Sequence, residues 1–250
     1  MRKAPCSFAR SQNTTKSMIR LRSARLLFRE GRCRPPYLYR TSRCLSTEKP
    51  SPPTPPPAPT SNHNDLQSFL TYAERTSLSP HSTTYVGTHY EYTILEHLRR
   101  YRLQLTRIGG RADSGIDLVG TWDLPSLPHP LRVVAQCKAL KSKVGPNIVR
   151  ELEGTFVGAP VGWRGEGILG MLVTTREATK GVRDTLSKSS YPLIWIMATT
   201  EGQVQQILWN SKATDIGLSG LEVNVRYGAK ADISKKSLAL MYKGEELGES

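Results

Sequence analysis

The sequence predicts an α/β domain in which helices flank a mixed β-sheet. Tyr90, Ile94 and Leu98 follow one another at four-residue spacing, which is typical of the buried face of a helix. Apolar runs at 168–173 and 193–198 indicate buried strands. Two strands predicted as a hairpin are followed by a helix, a strand, a helix and a strand. This order favours a mixed sheet with helices on both faces.

Local signals place the individual elements. The helices are predicted, in chain order, at 83–100, from Pro146 onward and at 177–188. The strands are predicted, in chain order, at 102–107, 115–122, 131–140, 168–173, 193–198, 203–209 and 221–227. Pro125, Pro128 and Pro130 mark the loop between the second and third strands, which we expect to pair antiparallel. Pro146 suits the first position of a helix, where its missing N–H costs nothing.

Composition divides the chain into four segments. Residues 1–47 are basic, and residues 48–64 are a proline-rich linker that cannot build a core. Residues 65–230 have the length of a single domain. Residues 231–250 are predicted to be a polar C-terminal tail.

The first 47 residues have the composition of a mitochondrial presequence. They hold twelve Lys and Arg but a single acid, Glu30. Residues 18–28 can form a helix with apolar and arginine side chains, and residues 43–46 resemble the site at which matrix presequences are cut. A basic arm that binds nucleic acid is the alternative. We therefore predict a mitochondrial protein, with the matrix as its compartment.

The rest of the chain is nearly neutral. The formal charge of the whole sequence is +14, yet residues 48–250 hold only twenty-three basic side chains against twenty acids. No segment reaches the roughly 18 consecutive apolar residues of a spanning helix, so we expect no membrane span. Cys137 is the one cysteine after the presequence, which excludes an internal disulfide and favours a small packing residue. Zinc-ligand spacings, a Walker-type loop and Gly-x-Ser-x-Gly are absent.

Polar residues on two predicted strands suggest a site. Alternate side chains on a strand share a face, so Gln136 and Lys138 point the same way and Cys137 points the other way. Asp117 lies in the neighbouring apolar strand, where a charge requires a partner. A salt bridge to Lys138 is the simpler explanation. The other is a Mg²⁺ site in which Asp117 and Gln136 supply oxygen ligands and Lys138 acts on the attacking water or on the phosphate.

Two further groups of side chains have alternative explanations. Glu91 shares the apolar stripe of its helix, and a buried acid must bind a metal or pair with a base such as Arg107. Near the predicted site, four basic residues could form a phosphate-binding patch or ordinary solvated surface: Arg111, Lys141, Lys143 and Arg150.

The ordered motifs resemble a known nuclease family. Residues 113–117, Asp-Ser-Gly-Ile-Asp, and residues 136–138, Gln-Cys-Lys, are similar to the Asp-x-Gly-x-Asp and Gln-x-Lys elements of the Mrr-type branch of the restriction-endonuclease-like, PD-(D/E)xK superfamily. Tyr90 and Glu91 resemble its aromatic-Glu pair, and residues 149–154 and 172–175 resemble the helix and strand that follow. This resemblance spans about residues 85–198. With the presequence, the chain is similar to the fungal mitochondrial "required for respiratory growth protein 7" family.

The resemblance implies a restriction-endonuclease-like fold and a set of functional residues. Asp117, Gln136 and Lys138 would be catalytic, with Glu91 as an accessory acid. Mg²⁺, or Mn²⁺ in its place, would bind Asp117, Gln136 and Glu91, whereas Asp113 would lie nearby without being a ligand. Gln136 replaces the commoner second carboxylate, which leaves less negative charge on the metal.

The function implied is hydrolysis of phosphodiester bonds in mitochondrial nucleic acid, with DNA as the expected substrate and genome maintenance as the role. Homodimerisation is expected only by analogy with restriction-like enzymes. Two alternatives remain open: a nucleic-acid-binding module that has lost turnover, and an assembly factor of the mitochondrial gene-expression machinery. Metal binding and turnover separate the three.

Overall fold

The computed structural model describes residues 53–55, 62–109, 115–227 and 236–248. Contacts divide the chain into residues 1–47 and 48–250, and every described residue belongs to the second unit. The predicted presequence, most of the proline-rich linker, Arg111 and Asp113 lie outside the described residues.

Two sheets and five α-helices make up the described fold. The helices are α1 (Leu66–Arg75), α2 (Thr83–Arg99), α3 (Asn147–Gly158), α4 (Lys180–Lys188) and α5 (Ser211–Asp215), with a 3₁₀ turn at Leu218–Gly220. The strands are β1 (Leu103–Arg107), β2 (Leu118–Trp122), β3 (Leu131–Lys138), β4 (Ile168–Thr174), β5 (Leu193–Ala198), β6 (Val204–Trp209), β7 (Leu221–Tyr227), β8 (Lys236–Tyr242) and β9 (Glu245–Glu246).

The larger sheet is mixed, as predicted. Its six strands run in the order β1-β2-β3-β4-β5-β6. The pairs β1–β2, β2–β3 and β5–β6 are antiparallel, whereas β3–β4 and β4–β5 are parallel. Strand β3 thus lies inside the sheet, with β2 on one side and β4 on the other.

Helices cover both faces of this sheet. On one face, Ile94 and Leu98 of α2 pack in a cluster with Ala135 of β3, and Cys137 packs against the same cluster. On the other face, α3 and α4 pack against Leu172 and other side chains of β4 and β5. The alternation predicted for β3 is therefore confirmed. No helix in the described ranges is long and apolar enough to cross a membrane.

The C-terminal segment differs from the predicted polar tail. Strand β8 pairs antiparallel with β7, so that Leu221 lies opposite Tyr242. Leu240, Tyr242 and Leu247 are buried in the cluster that includes α2. The domain therefore continues to residue 248, because apolar side chains in a mostly polar segment complete its core.

Helix α1 was not predicted. Asp65 caps it, since its side chain accepts from Ser68 N while the Ser68 hydroxyl accepts from Asp65 N. Phe69 and Ala73 are the buried residues of this short helix.

Candidate active site

Asp117 lies where β2 begins and is fixed against β3. Its N–H donates to the carbonyl of Ala135 at 2.9 Å. Its Oδ2 accepts from the N–H of Cys137 at 2.7 Å. The carboxylate thus satisfies a main-chain donor between Gln136 and Lys138, which brings all three predicted catalytic residues to one end of the β2–β3 pair.

Gln136 has an unusual environment. The residue is only 7% exposed, and its Oε1 has no hydrogen-bond partner among the described residues. Its Nε2 lies beside Gly115, where a Cβ would be 3.0 Å away. The other buried side-chain atoms without partners are indole N–H donors, on Trp163 and Trp195, so Gln136 supplies the one acceptor of this kind in the described part of the chain. An unpaired buried acceptor costs free energy, which a bound cation would offset.

Lys138 forms an ion pair with an acid that the sequence did not single out. Its Nζ lies 2.6 Å from Glu151 Oε2 on α3. The sequence offers a salt bridge between Asp117 and Lys138 as the simpler explanation for Asp117; the ion pair that the structure shows for the Lys138 ammonium is with Glu151. Asn147 donates to the other oxygen of Glu151 at 3.2 Å. The one sequence signal for this acid is its position in the helix directly after the Gln-x-Lys strand.

Glu91 forms the ion pair that the sequence offered as one explanation. Arg107 Nε donates to its Oε2 at 2.5 Å, and the two side chains are 12% and 11% exposed. The guanidinium of Arg107 also lies 5.4 Å from the ring centre of Tyr92. Arg107 thereby links Glu91 to the aromatic side chains around the start of α1. The role of Glu91 as a metal ligand stays a prediction.

The thiol of Cys137 lies within the electrostatic influence of both Asp117 and Glu91. Burial raises its pKa well above the ordinary value, and the carboxylates of Asp117 and Glu91 raise it further, while Arg107 opposes them. Both carboxylates therefore act electrostatically on the sulfur of Cys137, on β3. A thiol with a raised pKa stays protonated near neutral pH, which agrees with a packing role rather than a nucleophile.

The basic residues predicted to contact phosphate are at the surface where the structure describes them. Lys141 and Lys143 are exposed in the loop after β3, and Arg150 is exposed beside Glu151. The loop is fastened by Arg176, whose guanidinium donates to the Leu140 and Lys141 carbonyls. Within the described ranges, no group of three or more His, Cys, Asp or Glu side chains could hold a metal ion.

Comparison with known proteins identifies the family. The sequence model of the "required for respiratory growth protein 7" family matches residues 82–131 and 125–227. The chain belongs to this family. The predicted resemblance to this respiratory growth family is thus confirmed, and the matched segments include Glu91, Asp117, Gln136 and Lys138.

Relatives of this chain occur in fungi. An uncharacterized mitochondrial protein of Schizosaccharomyces pombe is 35% identical over 158 residues, which cover 62% of each chain. A mitochondrial family member of Saccharomyces cerevisiae is 26% identical over 168 residues, which cover 50% of this chain and 69% of the yeast protein. The match thus spans about three fifths of the S. pombe relative. No solved structure matches the chain.

Proposed function

We propose that this protein is a metal-dependent nuclease that hydrolyses phosphodiester bonds of mitochondrial DNA, and that its domain is restriction-endonuclease-like. The observation that carries the proposal is the buried Oε1 of Gln136, which has no hydrogen-bond partner among the described residues. Asp117 bonds the main chain on both sides of Gln136, at Ala135 and Cys137, and Lys138 lies two residues along the same strand. An apolar side chain would fill the same space without leaving an acceptor unpaired, so stability alone does not explain a glutamine.

The donor atoms fit a hard divalent cation. Asp117 and Gln136 would supply the oxygens, and Glu91 would be an accessory acid. Mg²⁺ prefers oxygen ligands and commonly keeps several waters, so one or two carboxylates suffice. When bound, such a cation supplies an activated water and offsets negative charge on the phosphate.

The protein's own residues contribute position and charge. The bond from Cys137 N to Oδ2 fixes the Asp117 carboxylate against β3. Lys138 presents an ammonium on the face of β3 that carries Gln136, where it can stabilise charge on a phosphate oxygen. Lys141, Lys143 and Arg150 would hold the backbone of the nucleic acid beside this site, together with Arg111.

Compartment and pathway are part of the same proposal. Relatives carry the words "mitochondrial" and "required for respiratory growth" in their names. We assign this chain to the mitochondrial matrix, because its basic segment is typical of matrix presequences. A nuclease acting on DNA there would serve genome maintenance, on which respiratory growth depends. A homodimer would allow both strands of a duplex to be cut.

A second candidate is a catalytically silent nucleic-acid-binding or assembly factor. Lys138 is paired with Glu151, and Glu91 is paired with Arg107. Ion pairs of this kind also occur in a site that only holds its shape. The two candidates differ in whether metal binding leads to turnover.

The test uses the full chain and two variants that each remove one acid. Asp117→Asn removes the proposed ligand, and Glu166→Gln, at an exposed position away from the site, removes the same charge. Mn²⁺ affinity is measured by calorimetry, and cleavage is measured on single-stranded, duplex and branched DNA and on RNA. We expect wild type and Glu166→Gln to bind metal and cleave, and Asp117→Asn to do neither. Metal binding without cleavage of any substrate by wild type would favour the silent module, and the absence of both would reject the site.

A further inference from the structure

Helix α3 places two side chains over the polar face of β3 at matched spacing. Glu151 and Thr155 are one turn apart, which is about 6 Å along a helix. Gln136 and Lys138 are two residues apart, which is about 6.6 Å along a strand. Lys138 bonds Glu151. Gln136 Nε2 and Thr155 Cγ2 both border Gly115, at 3.0 Å and 3.5 Å from the position of a Cβ there.

The matched spacing gives each polar residue of β3 its own neighbour on α3. The helix is held in this register by Ile148, Val149 and Leu152, which are buried against β4 and β5. Glu151 therefore projects from a fixed element toward the end of β3 that carries Lys138.

The pair between Lys138 and Glu151 contributes little to stability. The two side chains are 28% and 46% exposed. Exposed ion pairs of this kind have small net effects, because solvent screens them and both side chains lose rotamer freedom. Nevertheless Glu151 is oriented on both sides, since Asn147 donates to its second oxygen. An acid that is oriented on a rigid helix, yet contributes little to folding, suits a role in placing its partner.

We propose that Glu151 is a positioning residue that fixes the Lys138 ammonium on the Gln136 face of β3. This inference rests on the proposed nuclease function. A lysine side chain has four rotatable bonds, and without Glu151 its ammonium would sample many positions. Held by a carboxylate, Lys138 acts as a fixed cation toward the phosphate and not as a base. Glu151 does not touch substrate in this scheme, so its loss should lower kcat and leave KM unchanged.

The test combines a chemical readout with kinetics on the full chain. Glu151→Gln removes the charge and keeps the shape, Glu151→Asp keeps the charge, and Glu166→Gln is the matched control. Acylation of Lys138 by an acetylating reagent is followed by peptide mass spectrometry, with exposed Lys180 as internal reference. Cleavage is measured with Mg²⁺, and thermal melts confirm that each variant folds.

In Glu151→Gln we expect Lys138 to be acylated about threefold to fivefold faster, the factor that corresponds to a partly exposed ion pair. We expect its kcat to fall by about tenfold to a hundredfold at unchanged KM, because a small misplacement of a reacting group has effects of this size. Glu151→Asp should recover part of kcat, and Glu166→Gln should match wild type.

The proposal would be overturned if Glu151→Gln had the same Lys138 acylation rate and the same kcat as wild type. A rise in KM as large as the fall in kcat would also overturn the proposal, since Glu151 would then contribute to substrate binding. If wild type cleaves no substrate, the proposed function fails, and the acylation rate alone still decides whether Glu151 holds Lys138.

Discussion

Replacing Gln136 with methionine should make the metal-free protein more stable. Methionine has a similar length and no polar atoms, so Gln136→Met removes a buried acceptor that has no partner among the described residues. Leaving such a group unsatisfied costs about 1–3 kcal/mol. Part of this gain is offset, because the substitution also removes the contacts that Gln136 Nε2 makes near Gly115. We expect a net gain of about 1 kcal/mol in the free energy of unfolding, or about 2–4 °C in Tm for a domain of this size.

The order should reverse when metal is added. A cation at a concentration of about 100 times its Kd stabilises the protein that binds it by about 2.7 kcal/mol. Wild type should gain this stabilisation, whereas Gln136→Met has lost one of its ligands and should gain little. Wild type is then the less stable protein in EDTA and the more stable one in Mn²⁺.

Thermal melts of both proteins in EDTA and in Mn²⁺ provide the assay. Gln205→Met is the control, because Gln205 is exposed on β6 and the same change there should shift stability by no more than about 0.5 kcal/mol. A Gln136→Met variant less stable than wild type in EDTA would show that the amide is satisfied. Equal responses of the two proteins to Mn²⁺ would refute Gln136 as a ligand.

Three further predictions concern the fold around the site. Truncation after residue 230 removes β8 and the buried Tyr242. It should lower the free energy of unfolding by more than about 3 kcal/mol. An unchanged midpoint of urea unfolding would contradict this expectation. Gly115→Ala should lower the free energy of unfolding by about 1–2 kcal/mol, because φ is +78° at this position. It should also weaken Mn²⁺ binding, because the new Cβ would meet Gln136 Nε2. An unchanged Mn²⁺ affinity in calorimetry would contradict the second expectation. Burial, and then Arg107, lower the pKa of His63, so the unfolded chain binds its proton more readily and stability is lost as pH falls below about 6.5. His63→Gln should lose less stability than wild type between pH 7 and pH 5, and equal losses in thermal melts would exclude this contribution.

The sheet was predictable because its strands carry strong local signals. Strand β4 is buried throughout, and β5 nearly so, and both bounds agree with the apolar runs to within one residue. The helix that became α2 was predicted to within one residue, because its buried side chains repeat at helical spacing. By contrast, β8 was missed, because its pairing with β7 joins residues nine to twenty-one positions apart and the segment has no strong local strand pattern.

The candidate site was partly predictable for the same reason. The period of a strand places Gln136 and Lys138 on one face, and the structure agrees. The partner of Lys138 depends on how α3 crosses β3, which is decided by packing of the whole core and not by neighbouring residues. The pairing of Lys138 with Glu151 could therefore be found only in three dimensions. For Glu91, burial on a helix stripe required a partner, and its neighbour Arg107 could be named in advance.

Metal-dependent cleavage by wild type and by Lys138→Ala tests the central claim most directly. Both full-length proteins are incubated with single-stranded, duplex and branched DNA in Mg²⁺ and in EDTA. The account predicts that wild type cleaves at least one DNA in Mg²⁺ and none in EDTA. Lys138→Ala should cleave at least a hundredfold more slowly in Mg²⁺, because the loss of one charge-stabilising group has effects of about this order. Equal cleavage by both proteins, or none by wild type, would contradict the claim that this end of β3 is a nuclease site.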